Sequence, residues 1–286
     1  MSNSGDQSFN RQVIEEFRAN NGYVGGPFEG ARLLLLTTCG ARTGQSHTVP
    51  LGYLNDENDR MLVIASAGGA PRHPAWYHNL RANPRVTVES GVFTFTAVAT
   101  VLDGAERDAM FARAVEGEPG WLEYQQRSGR HLPVVAFTVV DGGPNMTGGW
   151  GDGLKAIHDG FRRELALVRA EVAQSGSSLG AQLRINCLSV CQFLHTHHEH
   201  EDTYVFPAIV ESSPELRPVL DKLGEEHVEI AHLLEELQSV VQRDTQNPVD
   251  LLATVDRLIA DLEAHLDYEE EQLIPLLNSA TLNLTE

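Results

Sequence analysis

"HTHHEHEDTYVFP", residues 195–207, places four histidines and three acidic residues in eight consecutive positions. A second stretch near the C-terminus, "HLDYEEEQLIP" at 265–275, shares its pattern. Each holds a His followed four residues later by a Glu (His197 and Glu201; His265 and Glu269), then an acidic residue (Asp202; Glu270), then a Pro (Pro207; Pro275). An i, i+4 spacing stacks two side chains on one face of a helix. Proline lacks the backbone donor that a helix interior needs, so each Pro is expected to end its helix. Two such copies predict a paired, helix-borne ligand set rather than a solvated patch.

Hydrophobic periodicity predicts four long helices, roughly over 153–175, 180–206, 214–243 and 248–274. Their inner stripes, traced in steps of three and four, run Leu154, His158, Phe161, Leu165, Val168, Val172, then Leu183, Cys187, Val190, Leu194, His197, Glu201, Tyr204. The third runs Leu220, Leu223, His227, Ile230, Leu234, Leu237, Val241, and the fourth Leu251, Val255, Leu258, Leu262, His265, Glu269. Each helix thus interrupts an apolar stripe with His, or with His and Glu. One core imidazole is ordinarily a hydrogen-bonded packing residue. Four helices contributing at once predict a metal site, because buried polar groups without partners are costly. Imidazoles and carboxylates without thiolate suit iron or manganese better than structural zinc, and two carboxylates able to bridge suggest two ions. His195, His198 and His200 fall on other helix faces, with His198 the nearest to the stripe. Tyr204 is placed one turn beyond Glu201, and Cys187 and Cys191 read as small core residues.

The charge is divided in the same way. Residues 1–150 hold 12 basic and 15 acidic residues, while 151–286 hold 9 and 25, so most of the net −19 lies in the second half. Such an acidic half argues against nucleic acid or anionic membrane as a partner and suits a module that holds cations. No apolar run is long enough to span a bilayer, no N-terminal segment has the charged-then-apolar form of a signal peptide, and three cysteines give no disulfide framework to read. A cytoplasmic protein is expected. The Gly-rich stretch "DGGPNMTGGWGDG" (141–153) marks a domain boundary. It divides the chain into a first domain at 1–141, a linker at 142–152 and a bundle at 153–286.

The His-then-Glu pattern resembles the hemerythrin-like HHE cation-binding family across residues 153–286. The resemblance implies an all-α four-helix bundle with a non-haem di-iron centre reacting with O2, NO or peroxide. Its implied ligands are His158, His197, Glu201, His227, His265 and Glu269. One departure stands out: oxygen-carrying hemerythrins have a further third-helix His where this chain has Ala231. That leaves a coordination position open to water, substrate or another side chain.

The first half reads as a helix at 9–20 and strands at 33–38, 47–55, 60–66, 85–90, 92–102 and 132–140, with helices at 73–83, 105–117 and 120–128. This predicts an α+β closed or split β-barrel. Three segments carry chemistry: a polar loop, "TTCGARTGQSHTVPL" (37–51); a strand running into a Gly-Gly turn and a helix, "ASAGGAPRHPAWYHNLRANP" (65–84); and "EPGWLEYQQRSGRHLPVV" (118–135). Together they resemble the deazaflavin-dependent nitroreductase family, a flavin-reductase-like split barrel, from about Phe9 to Val140. The resemblance implies reduced deazaflavin coenzyme F420 giving hydride to a quinone, nitro compound or enone. Arg42, Thr43 and Gly44 are then the phosphate loop. Pro50, Leu51, Ser66, Gly68, Gly69 and Ala70 flank the ring, Trp76 and Asn79 contact the cofactor, and Ser66, Trp121 and Tyr124 are the catalytic, substrate-side candidates. Ala41, Ala67 and His47 stand where the family usually carries cations, so FMN, with a single phosphate and no acidic tail, remains the alternative. Glu118 replaces a substrate-side tyrosine.

The combined reading is a redox enzyme in which deazaflavin hydride chemistry is coupled to a di-iron centre. The alternative is an O2, NO or iron sensor whose barrel only binds coenzyme. A small-molecule substrate or oxidant (O2, NO, peroxide or quinone) and a homodimer formed through the barrel are the expected partners.

Overall fold

The computed structural model describes residues 4–144, 149–175, 179–242 and 248–279. The chain divides into two compact units, Met1–Asn145 and Met146–Glu286.

The first unit is a seven-stranded antiparallel sheet in the order β2-β1-β5-β6-β7-β4-β3. The strands are β1 Leu33–Cys39, β2 Ser46–Gly52, β3 Leu54–Asn55, β4 Met61–Ile64, β5 Arg85–Ser90, β6 Phe93–Val101 and β7 Val134–Pro144. The expected strand over 47–55 is divided by Tyr53 into β2 and β3. Those two form opposite edges of the sheet although one residue separates them. Consecutive Cα atoms are only about 3.8 Å apart, so the sheet must roll until its edges meet at this corner. That is the split barrel.

Period-two alternation divides the strand side chains between two faces. Leu34, Leu36, Val63, Val88, Val135 and Phe137 fill the face shared with Trp76, Tyr77 and Leu80 of α2 (Ala75–Ala82). Their alternates cover the other face. Leu33 and Leu35 bury against Val13 and Phe17 of α1 (Ser4–Ala19). Leu62, Ile64, Val134 and Ala136 bury against α3 (Gly104–Gly117) and α4 (Gly120–Ser128).

The second unit contains α5 (Trp150–Gln174), α6 (Ala181–His200), a π-helical turn (Glu201–Val205), α7 (Phe206–Ser212), α8 (Arg217–Val241) and α9 (Pro248–Ser279). Inner positions of α8 are buried as the stripe predicts, from Leu220 through His227 to Val241. Neither proline ends its helix. Pro207 lies in the first turn of α7, where its missing donor costs little, and Pro275 sits inside α9. There Leu273 and Leu277, both buried against Phe206, Ile209, Leu220 and Leu223, hold the helix through the proline.

The glycine-rich stretch is partly structured. β7 extends through Pro144 and α5 begins at Trp150, while 145–148 lie outside the described residues. A Cβ on Gly151 would come within 2.8 Å of the Ile274 carbonyl. This glycine therefore serves close packing of α5 on α9. Asn278 of α9 caps the same helix start, accepting from the Gly151 amide at 3.0 Å. Among the described residues, no helix is long and apolar enough to cross a membrane.

Candidate metal centre and cofactor cleft

A polar layer crosses the bundle between two apolar clusters, one built on Leu165, Leu194, Ile230 and Leu262, the other on Phe206, Leu223 and Leu273. The layer holds two groups whose ligand atoms lie within 4.8 Å of one another: His158, His197, Glu201 and Glu269 in one, His198, His227 and His265 in the other. All six sequence-predicted ligands are brought together. The carboxylates lie between the groups. Glu201 sets one oxygen 3.2 Å from His197 Nε2 and the other 3.7 Å from His227 Nε2. Glu269 Oε2 is 3.5 Å from His158 Nε2 and 3.8 Å from His265 Nε2.

Three of the outer ring nitrogens are engaged by carboxylates. His158 Nδ1 donates to Glu270 (3.1 Å), His227 Nδ1 to Asp202 (2.9 Å) and His265 Nδ1 to Glu226 (3.0 Å). A carboxylate only accepts, so each Nδ1 carries the proton and each Nε2 presents a lone pair inward. Arg162 in turn holds Glu270 at 2.7 Å. Burial opposes its ionisation, yet the bonds from His158 and Arg162 draw the Glu270 carboxyl down to about 2. Asp202 and Glu270 are the acidic residues that follow each His–Glu pair in sequence. Their orienting role, and that of Glu226, was not legible there, because each partner lies on another helix.

Burial holds the imidazoles neutral: His158, His197, His198 and His227 lie below the ordinary histidine value and His265 falls to about 4. It acts oppositely on the acids, raising Glu269 to about 8 and Glu201 well above the carboxylate range, the latter also because Glu269 is adjacent. The Nε2 atoms of His198, His227 and His265, Glu201 Oε2 and both Glu269 oxygens are buried without a hydrogen-bond partner in the chain. Orphaning six such atoms would cost on the order of 10 kcal/mol, comparable to the whole stability of a domain. A cation between the groups removes that cost, so the residues fit a metal. Cys187 and Cys191 are buried in the apolar cluster and belong to neither group of converging ligand atoms, and burial pushes the Cys191 thiol up to about 12.

Two predicted placements differ. His198 does not face away: it is buried and its ring stacks on His227, centroids 4.2 Å apart at 12°. Tyr204 is 64% exposed. Both follow from geometry the stripe ignored. Residue 198 lies only about 100° around α6 from 197, and the π-helical turn inserts an extra residue after Glu201, turning Tyr204 outward.

The barrel unit carries a cleft of about 1360 Å³. Of the residues expected at the cofactor, Arg42, Thr43, Pro50, Leu51, Ser66, Gly68, Trp76 and Asn79 line it. Asn79 organises the 40–44 loop, donating to Thr38 Oγ1 at 3.1 Å and accepting from the Ala41 amide at 3.0 Å. Gly44 closes that loop from outside the lining, its positive φ of 67° allowing its amide to reach the Gly40 carbonyl. Ala67, Gly68 and Gly69 have φ of 50°, 58° and 78°, a run of left-handed residues that only glycines adopt without strain. Gly69 and Ala70 complete that turn without lining the cleft.

Two arginines clamp the turn. Arg127 donates to the Gly68 carbonyl, and Arg130 to the carbonyls of Ala65, Ser66, Ala70 and Arg72 at 2.9–3.3 Å. Neither was singled out in the sequence, since their partners lie some sixty residues away. Phe9, Asn10, Arg11 and Ile14 of α1 also line the cleft. Trp121 and Tyr124 do not: they meet edge-to-face at 5.9 Å and pack with the cluster around Leu132.

Residues 9–139 match the family model described as F420H(2)-dependent quinone reductase, and residues 152–277 the hemerythrin HHE cation binding domain. An F420H(2)-dependent quinone reductase of Mycobacterium tuberculosis is 39% identical over 126 residues, covering 43% of this chain and 84% of the relative. A putative F420H(2)-dependent quinone reductase of the same organism is 31% identical over 102 residues, 36% of this chain and 85% of the relative. Among solved structures, an F420-H2 dependent reductase (FDR-A) matches with 39% identity and a TM-score of 0.35, covering 37% of this chain and 94% of that one. Through its first half the chain belongs to the F420H(2)-dependent quinone reductase family, and its second half matches the model of the hemerythrin HHE cation binding domain.

Proposed function

We propose that the chain is an F420-dependent oxidoreductase with a cleft domain at 1–141 and a bundle at 153–286 that holds two iron ions. The observation that carries the bundle half is the set of buried carboxylate oxygens of Glu201 and Glu269 without hydrogen-bond partners, between two groups of imidazoles. Iron bound there would supply one-electron chemistry toward O2, NO, peroxide or an organic acceptor. His158, His227 and His265 would offer inward Nε2 lone pairs, with His197 beside His158, and Glu201 and Glu269 lie between the two groups. Glu270, Asp202 and Glu226 fix the tautomers, and the apolar clusters on both sides exclude water.

The cleft half is supported by the family of the first domain. Reduced coenzyme supplies the hydride, and the protein binds and orients it. Arg42 and Thr43 would hold the phosphate, and the 65–70 backbone and buried Trp76 would flank the ring. Arg11 lines the same cleft as Arg42 and adds a cation where the loop lacks the family's usual ones, which favours F420 with its acidic tail over FMN. A small-molecule acceptor and a homodimer through the barrel complete the proposal.

The test uses the intact protein. Metal analysis should give two iron per chain, and fluorescence titration should show F420 binding more tightly than FMN. One zinc per chain, with no iron taken up anaerobically, would refute the bundle half. Tighter FMN binding would reassign the cofactor.

A further inference from the structure

We propose that His198 is a metal ligand, supplying from α6 the imidazole that the third helix lacks at Ala231. The proposal rests on the two-metal reading of the bundle and adds a seventh ligand to it.

Four observations converge. His198 is 5% exposed, and its Nε2 is buried with no hydrogen-bond partner in the chain. Its ligand nitrogen lies within 4.8 Å of those of His227 and His265. Its ring is fixed, stacked on His227 and edge-on to His265 with centroids 5.3 Å apart. Finally, His198, His227 and Ala231 line one small hollow of about 140 Å³, so the space left by a short residue at 231 adjoins the His198 ring.

The helix explains how neighbours in sequence serve different groups. Side chains at 197 and 198 diverge by about 100° on α6. His197 therefore meets His158 of α5, its Nε2 3.2 Å from that of His158. His198 meets His227 of α8 and His265 of α9. The ligand set becomes three imidazoles in one group and two in the other, with Glu201 and Glu269 between them. Open coordination positions are then more numerous on the His158–His197 side, not beside Ala231 where the pattern of the third helix alone would put them.

Anaerobic Fe(II) titration of the full chain, with metal analysis after desalting and absorption spectra of the Co(II)-substituted protein, tests this. His198→Gln keeps the size of the side chain; circular dichroism checks its fold, and exposed His200→Ala serves as control. We expect two iron in the unaltered protein and in the control. In H198Q one iron should bind at least tenfold more weakly, with a changed Co(II) spectrum. Adding Ala231→His should restore the second iron. H198Q that holds two iron with unchanged affinity and spectrum overturns the proposal, as does a loss that Ala231→His fails to restore, which would assign the effect to packing. Fewer than two iron in the unaltered protein refutes the two-metal reading itself.

Discussion

His158, His227 and His265 each turn one ring nitrogen to a carboxylate outside the layer and the other inward. Removing such an orienting acid frees the tautomer and the ring. Glu270→Gln or Asp202→Asn should therefore weaken iron binding roughly 10- to 100-fold, while Asp267→Asn, whose carboxylate pairs with Arg162 on the exposed surface, should leave it unchanged. A competition titration against a chelator checks this; equal affinities across the three variants would contradict it. In the barrel, Arg130 holds four carbonyls of the 65–72 segment, a geometry that only a planar guanidinium can reproduce. Arg130→Lys should weaken F420 binding about tenfold or more and lower stability by about 1–3 kcal/mol, read by fluorescence titration and thermal melts. The candidate ligands on the traced stripes were legible because they interrupt the apolar period of their helices. Arg130 and the orienting acids were not, because a side chain's long-range partner leaves no local periodicity.

Pattern reading located all four long helices yet failed where one departs from ideal geometry. The π-helical turn at Glu201–Val205 changes the period from 3.6 within a few residues, so Tyr204 leaves the stripe and Pro207 falls in a first helical turn where it does no harm. The paired prolines thus looked like stops and are not. Titration of the buried layer makes a prediction at this scale. Glu269, raised to about 8 by burial, keeps its proton in the folded metal-free bundle. The stability this provides is fully present below its ordinary value of about 4.5 and is lost as pH rises through about 8. His265, depressed to about 4, contributes stability present above about 6.5 and lost as pH falls through about 4. With iron bound, Glu269 is needed as the carboxylate, so the first penalty disappears. Between pH 6.5 and 8 the metal-free protein should lose on the order of 2 kcal/mol relative to the iron-loaded form, widening their Tm gap by roughly 5 °C. Calorimetry at both pH values measures the gap. A gap that stays constant would mean that Glu269 already ionises without metal.

Across the whole chain, the division was visible in charge before any element was assigned: the acidic, histidine-rich half is the one with the buried layer of imidazoles and carboxylates. The barrel was less legible, since the contribution of α1 to the cleft and the closure of the sheet across Tyr53 depend on the fold itself. The two halves suggest a shared purpose. A hydride carries two electrons, and a centre of two ferric ions accepts two. The most direct test is anaerobic stopped-flow mixing of reduced F420 with the ferric-loaded intact chain. The account predicts that ferric absorption bleaches as coenzyme is oxidised, with one coenzyme consumed per two iron, and that Arg42→Ala slows both changes without altering iron content. Ferric absorption that persists while the coenzyme is oxidised by an added quinone would contradict it, leaving two sites that share a chain but not electrons.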